Sequence, residues 1–488
     1  MAAKPFANDS ELIHLAAPAL RTLKAMHCST NFLLKINKAC IVSIIGTAMF
    51  ATTAWTDARA QTEQGQSLAA EKTLALASAE QATIKHLGVA SCASSTCHGS
   101  TVPFIDSNVL QNEFRTWNEQ DPHARAYQTL LSPESKRIAR NLGLSSAESA
   151  GACLSCHADN VSMADHGDEF KITDGVGCET CHGGAEKYIE SHTDASHQNN
   201  IKAGLRKTEN PTVRAELCVS CHIGNHTDRK ITHTIMGAGH PRLSFELNTF
   251  SSIQPAHYKV DEDYIERKGE HNELQIWAIG QLVASEQLLT NIKAFPRSGL
   301  FPELVHMDCL GCHQPMSKVD WAPNPLTKLS AGALRYNDAH LLMSYQLAKT
   351  VSPGLANQVL SNTQTFLNNG VAAQNSDQLA SKLLNNIKEI RIGLERSPLS
   401  QVQGESILNA LIDNGLSASH QGYASAEQSA MAINSVLRVV NRQQQNGHDK
   451  AALLTGVETM FNALNDAERY RPEVFVSGLR KIQSSLRQ

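Results

Sequence analysis

The sequence is poor in aromatic side chains, carries no large excess of either charge, and has no cysteine after residue 312. Aromatic residues are 5% of its 488, too few to fill so large an interior unless another flat apolar surface contributes. A net charge of −4 lacks the basic footprint of a nucleic-acid binder. No apolar run reaches the roughly 20 residues of a membrane-spanning helix. Few stretches alternate apolar and polar as half-buried strands do. Nor does the chain display the polymer-forming edges that a structural or surface-assembly protein would need. The length leaves room for two or three domains.

What the chain does have is cysteine followed by histidine. Of its 12 cysteines, ten fall in five clusters. Four read C-x-x-C-H: Cys153-Cys156-His157, Cys178-Cys181-His182, Cys218-Cys221-His222 and Cys309-Cys312-His313. The fifth is stretched to C-x4-C-H: Cys92, Cys97 and His98. C-x-x-C-H is the attachment signature of c-type haem: two thiols add across the vinyl groups and the histidine reaches the iron. The stretched motif keeps that chemistry if its extra residues loop out. Zinc also takes paired C-x-x-C knuckles, but it does not require a histidine directly after every pair. The expectation is five covalent haem c groups, with His98, His157, His182, His222 and His313 as proximal iron ligands. Haem would also supply the missing flat apolar surface, so the core around the motifs would be largely porphyrin.

The two remaining cysteines, Cys28 and Cys40, lie in a stretch that reads as a targeting segment. Lys35 and Lys38 form a basic region, residues 40–55 an apolar one, and Ala58-Arg59-Ala60 a cleavage pattern ahead of Gln61. Met26 is an alternative start, and a retained anchor is the other reading of the same pattern. Cys40 precedes the apolar region and is poorly placed for lipid attachment. Cleavage would leave five cysteine pairs, each with a thioether role rather than the disulfides usual in exported proteins. Export to the periplasm of a Gram-negative bacterium fits, because c-type haem is attached outside the cytoplasm.

The fold expected is mainly α, with little regular sheet. Residues 1–60 are assigned to a signal peptide, 61–90 to a linker with a weak stripe at Leu74 and Leu76, 91–325 to a pentahaem cytochrome c domain, and 326–488 to a C-terminal helical domain. Within the haem region, Ile276, Trp277, Ile279, Leu282, Val283, Leu288, Leu289 and Ile292 follow helical spacing up to Pro296 and predict a packing helix. Further stripes run through Leu379, Leu383, Leu384, Ile387, Ile390 and Leu394; through Ile433, Val436, Leu437 and Val440; and through Leu453, Leu454, Val457, Met460, Phe461 and Leu464. Breaks at Ser352-Pro353-Gly354 and Arg471-Pro472 separate them. An antiparallel helical bundle is expected, fitted to docking partners, oligomerisation or covering haem edges.

Each iron needs a sixth ligand or keeps a vacancy. His240 lies in the glycine-rich turn Gly237-Ala238-Gly239-His240-Pro241-Arg242, which lets backbone approach a macrocycle, and His257 in Gln254-Pro255-Ala256-His257; both are distal candidates. His226, His233, His306 and His340 are weaker ones; His306 sits too near its own motif to cap that iron but could cap a neighbour. His86, His166, His197, His420 and His448 lie in polar stretches and are read as surface or structural.

The order of residues 92–192 is distinctive. Cys92, Cys97 and His98 are followed by Glu113-Phe114 and Trp117, then Asp121-Pro122-His123-Ala124, then Cys153-Leu154-Ser155-Cys156-His157. Next come Gly175-Val176-Gly177-Cys178-Glu179-Thr180-Cys181-His182-Gly183-Gly184 and Tyr188-Ile189-Glu190-Ser191-His192. This resembles the cytochrome c554 family of the hydroxylamine oxidoreductase-like multihaem cytochromes, over roughly residues 92–260. The resemblance implies haems stacked in parallel and perpendicular pairs, mostly bis-histidine, and electron transfer in the periplasm. It places His123 and His192 as distal ligands and implies an open iron at the second haem, held by Cys153, Cys156 and His157. Counting agrees, since His123, His192, His240 and His257 are four candidates for five irons. The chain departs from the family in its stretched first motif, its fifth motif and its long helical tail.

Two functions follow. The first is a periplasmic electron-transfer protein with five haems and redox partner proteins, without nucleic acid or a retained membrane span, and with a homo-oligomer through the C-terminal helices as an option. The alternative is a multihaem oxidoreductase acting on a small nitrogen or sulfur compound at a five-coordinate haem. Pentahaem nitrite reductases carry C-x-x-C-K at the catalytic haem, and this chain has no such motif.

Overall fold

The computed structural model describes residues 84–487 apart from 106, 108, 296–301, 314–324, 330–332, 370, 372–374, 418–421 and 444–449. The proposed signal peptide, most of the linker and Pro296 lie outside the described residues. The fold is mainly α: among the described residues there are eighteen α-helices, no β-strand, and two isolated bridges, His86 with His166 and Met307 with Tyr336.

Short helices carry the motif region: α1 (Glu113–Gln120), α2 (Ala126–Leu130), α3 (Pro133–Asn141), α4 (Gly151–His157), α5 (Cys178–His182), α6 (His197–Lys202), α7 (Pro211–His222), α8 (His233–Gly237), α9 (Leu247–Ile253) and α10 (Glu262–Lys268). Then follow the long α11 (Glu273–Ala294) and the tail helices α12 (Ala339–Val351), α13 (Pro353–Asn369), α14 (Ser376–Arg396), α15 (Gln401–Leu416), α16 (Tyr423–Gln443), α17 (Lys450–Ala463) and α18 (Pro472–Leu486). The ends are set locally. Pro133, Pro211 and Pro472 open helices, where their missing N–H costs nothing. Asn210, Asp261 and Asn272 cap first turns, and Ser400 with Gln403 forms a full capping box.

The motif region up to α6 has only a small apolar cluster of its own, around Leu130, Ala139, Ala147, Leu154 and Ala158. The large core lies further along and runs from Ala215 and Val219 through α11 to Ile482. In α11, 16 of 22 residues are buried, Gln275, Gln281, Ser285 and Asn291 among them, so it is enclosed on every side rather than along one stripe. It packs against α7, α12 and α14. The three predicted tail stripes lie on α14, on α16 and on α17 with Leu464 just beyond it. This core crosses the expected boundary near residue 326. Polar bonds cross it too: Arg242 holds Glu427 through two 2.8 Å bonds, Gln428 Nε2 donates to Phe245 O at 2.9 Å, and Thr212 Oγ1 donates to Glu395 Oε1 at 2.6 Å.

Residues 84–90, assigned above to the linker, are docked. The Leu87 and Gly88 amides donate to the two oxygens of buried Glu179 at 2.8 and 2.7 Å. A buried carboxylate stays only where N–H groups satisfy it, and these come from the segment ahead of the first motif.

Candidate haem sites

Helical geometry presents the motifs. Cysteines three apart stand one turn apart on one face, and the histidine after the second cysteine lies on the same side. The second motif lies in α4, the third is α5, and the fourth ends α7. The fifth begins on a single 3-10 turn, in which His313 N donates to Cys309 O at 2.7 Å. In the first motif His98 N donates to Cys92 O at 3.2 Å, the same bond across two more residues. The added length loops out: Ser94, Ser95 and Thr96 are exposed and turn back through Cys97 N and Gly99 N onto Ser94 O. Gly99 permits this, since a Cβ there would stand 2.0 Å from Ala93 O.

The fold brings a second histidine opposite four of the five motif histidines. Ring centroids lie 6.2 Å apart for His98 and His192, 6.1 Å for His123 and His222, 6.4 Å for His182 and His257, and 6.3 Å for His233 and His313. A metal ion bonded to two imidazoles at about 2 Å each puts their centroids about 6.3 Å apart. These four pairs are therefore spaced to hold one iron each. The ring planes are 22° and 28° apart at His98/His192 and His233/His313, but 89° and 88° at His123/His222 and His182/His257. His240 falls to His157, whose pKa is lowered by burial and then by the positive charge of His240.

The outer ring nitrogens fit ligation too. Metal-bound histidine normally gives its other N–H to an oxygen. His98 Nδ1 lies 2.9 Å from Glu113 Oε2, and His123 Nδ1 2.9 Å from Asp121 Oδ1. A carboxylate only accepts, so both nitrogens carry the proton and Nε2 keeps a free lone pair. Backbone carbonyls take Nδ1 elsewhere: Ala126 O at 3.1 Å from His157, Ile189 O at 2.6 Å from His192, Pro241 O at 2.8 Å from His240 and Pro255 O at 3.4 Å from His257. The hydrogen bond that His98 donates to Glu113 raises the pKa of His98. Burial works against the charged form of His123, but Asp121 outweighs it and raises its pKa; Asp121 itself is held down at about 2. Burial alone dominates at His182 and His222, pushed down to about 4 and so kept neutral, as iron ligands must be.

Neighbouring motifs touch through their cysteines. Cys92 lies close enough to Cys178, and Cys156 close enough to Cys221, for each to shift the other's pKa. Cys181 lies within electrostatic reach of Cys218 and Cys221. Arg229 ties two spacers together, donating to Ser155 O at 2.8 Å and Ser220 Oγ at 3.0 Å. The motifs thus run first, third, fourth, second. The fifth joins beside the second, because α8 and the turn after it carry both His233 and His240, with His240 N donating to Ile235 O. Cys97 and Cys312, in the first and fifth motifs, are the two exposed cysteines among the ten.

Of the four distal candidates, His123, His192 and His257 face motif histidines, and His240 lies within electrostatic reach of His157. His233, which faces His313, is one of the weaker candidates of the sequence. Its pairing with His313 also undoes the count that left the second motif open. Several of the other described histidines have contacts of their own. His197 Nε2 meets Glu209 at 2.7 Å, His166 stacks on Phe170, His340 Nδ1 meets Gln281 at 3.0 Å and His306 packs on Phe295. His226 follows α7, while His420 and His448 lie outside the described residues. His86 clusters with Asp159 and Glu179, their ligand atoms within 4.8 Å of one another. Glu179 already accepts from Leu87, Gly88 and Ala185 amides, so this cluster locks the N-terminal segment onto the third motif.

Among the described residues no helix is long and apolar enough to cross a membrane. No curated protein and no solved structure matches the chain. Residues 91–183 match the family described as cytochrome c554 and c-prime. Over that stretch the chain is similar to the cytochrome c554 family, a match that supports a c-type cytochrome with covalently bound haem and a part in electron transfer.

Proposed function

We propose that the chain binds five haem c groups and conducts electrons through them in the periplasm. The pairing of histidines carries this reading: four pairs at the spacing of one shared iron, and His240 beside His157 for the fifth. Each haem, when bound, supplies a one-electron iron couple. The protein's part is to fill both axial positions, so that little rearranges when the charge changes. His98, His157, His182, His222 and His313 would hold the irons from the motif side, and His192, His240, His257, His123 and His233 from the other. The ten motif cysteines would form the thioethers.

The order first, third, fourth, second, fifth makes a line whose ends carry the exposed Cys97 and Cys312. Redox partner proteins would dock at these ends. Export follows from the haem chemistry and from the leader ahead of Gln61. Intact mass of the exported protein tests both. The expected mass is that of a chain starting near Gln61 plus five haems; a four-haem mass would refute loading of the C-x4-C-H site.

A further inference from the structure

Along this line of motifs the axial histidines lean on two kinds of oxygen. His98, at the first motif, and His123, opposite the fourth motif's His222, give Nδ1–H to carboxylates. His157 and His240 at the second motif, and His257 at the third, give theirs to neutral carbonyls. The carboxylates are held for this task. Glu113 Oε1 takes the Gln111 amide at 3.1 Å while Oε2 faces His98. Asp121 Oδ1 takes the His123 amide at 3.0 Å, and Oδ2 takes Gln254 Nε2 at 2.9 Å. An anionic acceptor pulls the Nδ1 proton outward, makes the imidazole a stronger electron donor, and favours the oxidised over the reduced metal.

We infer that Glu113 and Asp121 are positioning residues that lower the reduction potentials of the irons at the first and fourth motifs, so that potentials alternate low, high, low, high along the first, third, fourth and second. This rests on the five-haem, bis-histidine reading and adds a profile to it. Each reduction moves one electron from a dithionite-class reductant onto one iron, iron(III) to iron(II), and the proton stays on Nδ1. An electron would rest at the third and second motifs and pass through the first and fourth as higher-energy steps.

The ring planes sort the irons into two spectroscopic classes. Near-parallel axial imidazoles at the first motif give a rhombic low-spin resonance, and near-perpendicular ones at the fourth give a large-gmax resonance. The test is a potentiometric titration of the holoprotein followed by electron paramagnetic resonance, with covalent haem counted by mass in each sample. Glu113→Gln is expected to raise the midpoint of one rhombic signal, and Asp121→Asn that of one large-gmax signal, with the others in place. In the unaltered protein the last three signals to vanish are expected to include both classes, since the fifth motif's potential is not fixed by these contacts. Variants with five low-spin haems and unmoved midpoints would overturn the inference while leaving the haem reading intact. If a variant fails to load haem, the order in the unaltered protein decides: three last signals of one class would overturn it. Fewer than five low-spin haems in the unaltered protein would overturn the underlying reading.

Discussion

The histidines divide by what their ring nitrogens already hold. His123, His192, His240 and His257 bond through Nδ1, whereas His197 has given Nε2 to Glu209. His192→Ala and His233→Ala are each expected to turn one low-spin haem high-spin while all covalent haem remains; unchanged low-spin signals would remove that residue from the ligand set. His86 is a different kind of histidine. Burial lowers its pKa, the hydrogen bond and charge of Asp159 raise it more, and the net shift is upward. A folded pKa above the unfolded one gives stability that is full below about pH 6.5 and fades as pH rises through the folded value. The stability gap between the native protein and His86→Gln should therefore be larger at about pH 5.5 than at about pH 8.5. A gap that grows with pH would contradict the His86–Asp159 latch. At this scale the motif residues were legible, because attachment chemistry fixes their spacing. Partners such as His233 were not: chain path, rather than local sequence, sets what stands across an iron.

Helices α11, α17 and α18 show how far periodicity reaches. The apolar stripe located α11, but not its burial on every side, which comes from helices far along the chain. Leu282 there is fully buried. Leu282→Ala should cost about 2–5 kcal/mol, read as a lowered denaturation midpoint, with the haem count unchanged. The α17–α18 pair is closer than the α17 stripe alone conveys. A Cβ on Gly478 would stand 2.8 Å from Gly456 O, and one on Gly456 2.6 Å from Ile482 Cγ1. Gly478→Val should cost about 1–3 kcal/mol by forcing the helices apart, and an unchanged melting temperature would refute that close approach.

At the scale of the whole molecule, the large core runs across residue 326, where the sequence suggested a domain limit. Cys218 and Leu310 from the fourth and fifth motifs pack on the same cluster as the tail helices. Stripes report what each helix buries, not which distant helix covers it, so this junction was invisible in one dimension. Deleting residues 330–488 would uncover Trp277, Leu282 and Leu289, and is expected to abolish recovery of soluble five-haem protein; full recovery would show that the motif region folds alone. The alternative function, chemistry at an open iron, turns on whether any histidine pair is missing. The most direct test is the spin state of the oxidised holoprotein by electron paramagnetic resonance, with carbon monoxide then added to the reduced form. Five capped irons predict low-spin resonances only and no spectral change with carbon monoxide; a high-spin resonance with a carbon monoxide adduct would contradict bis-histidine ligation throughout and reopen the catalytic reading.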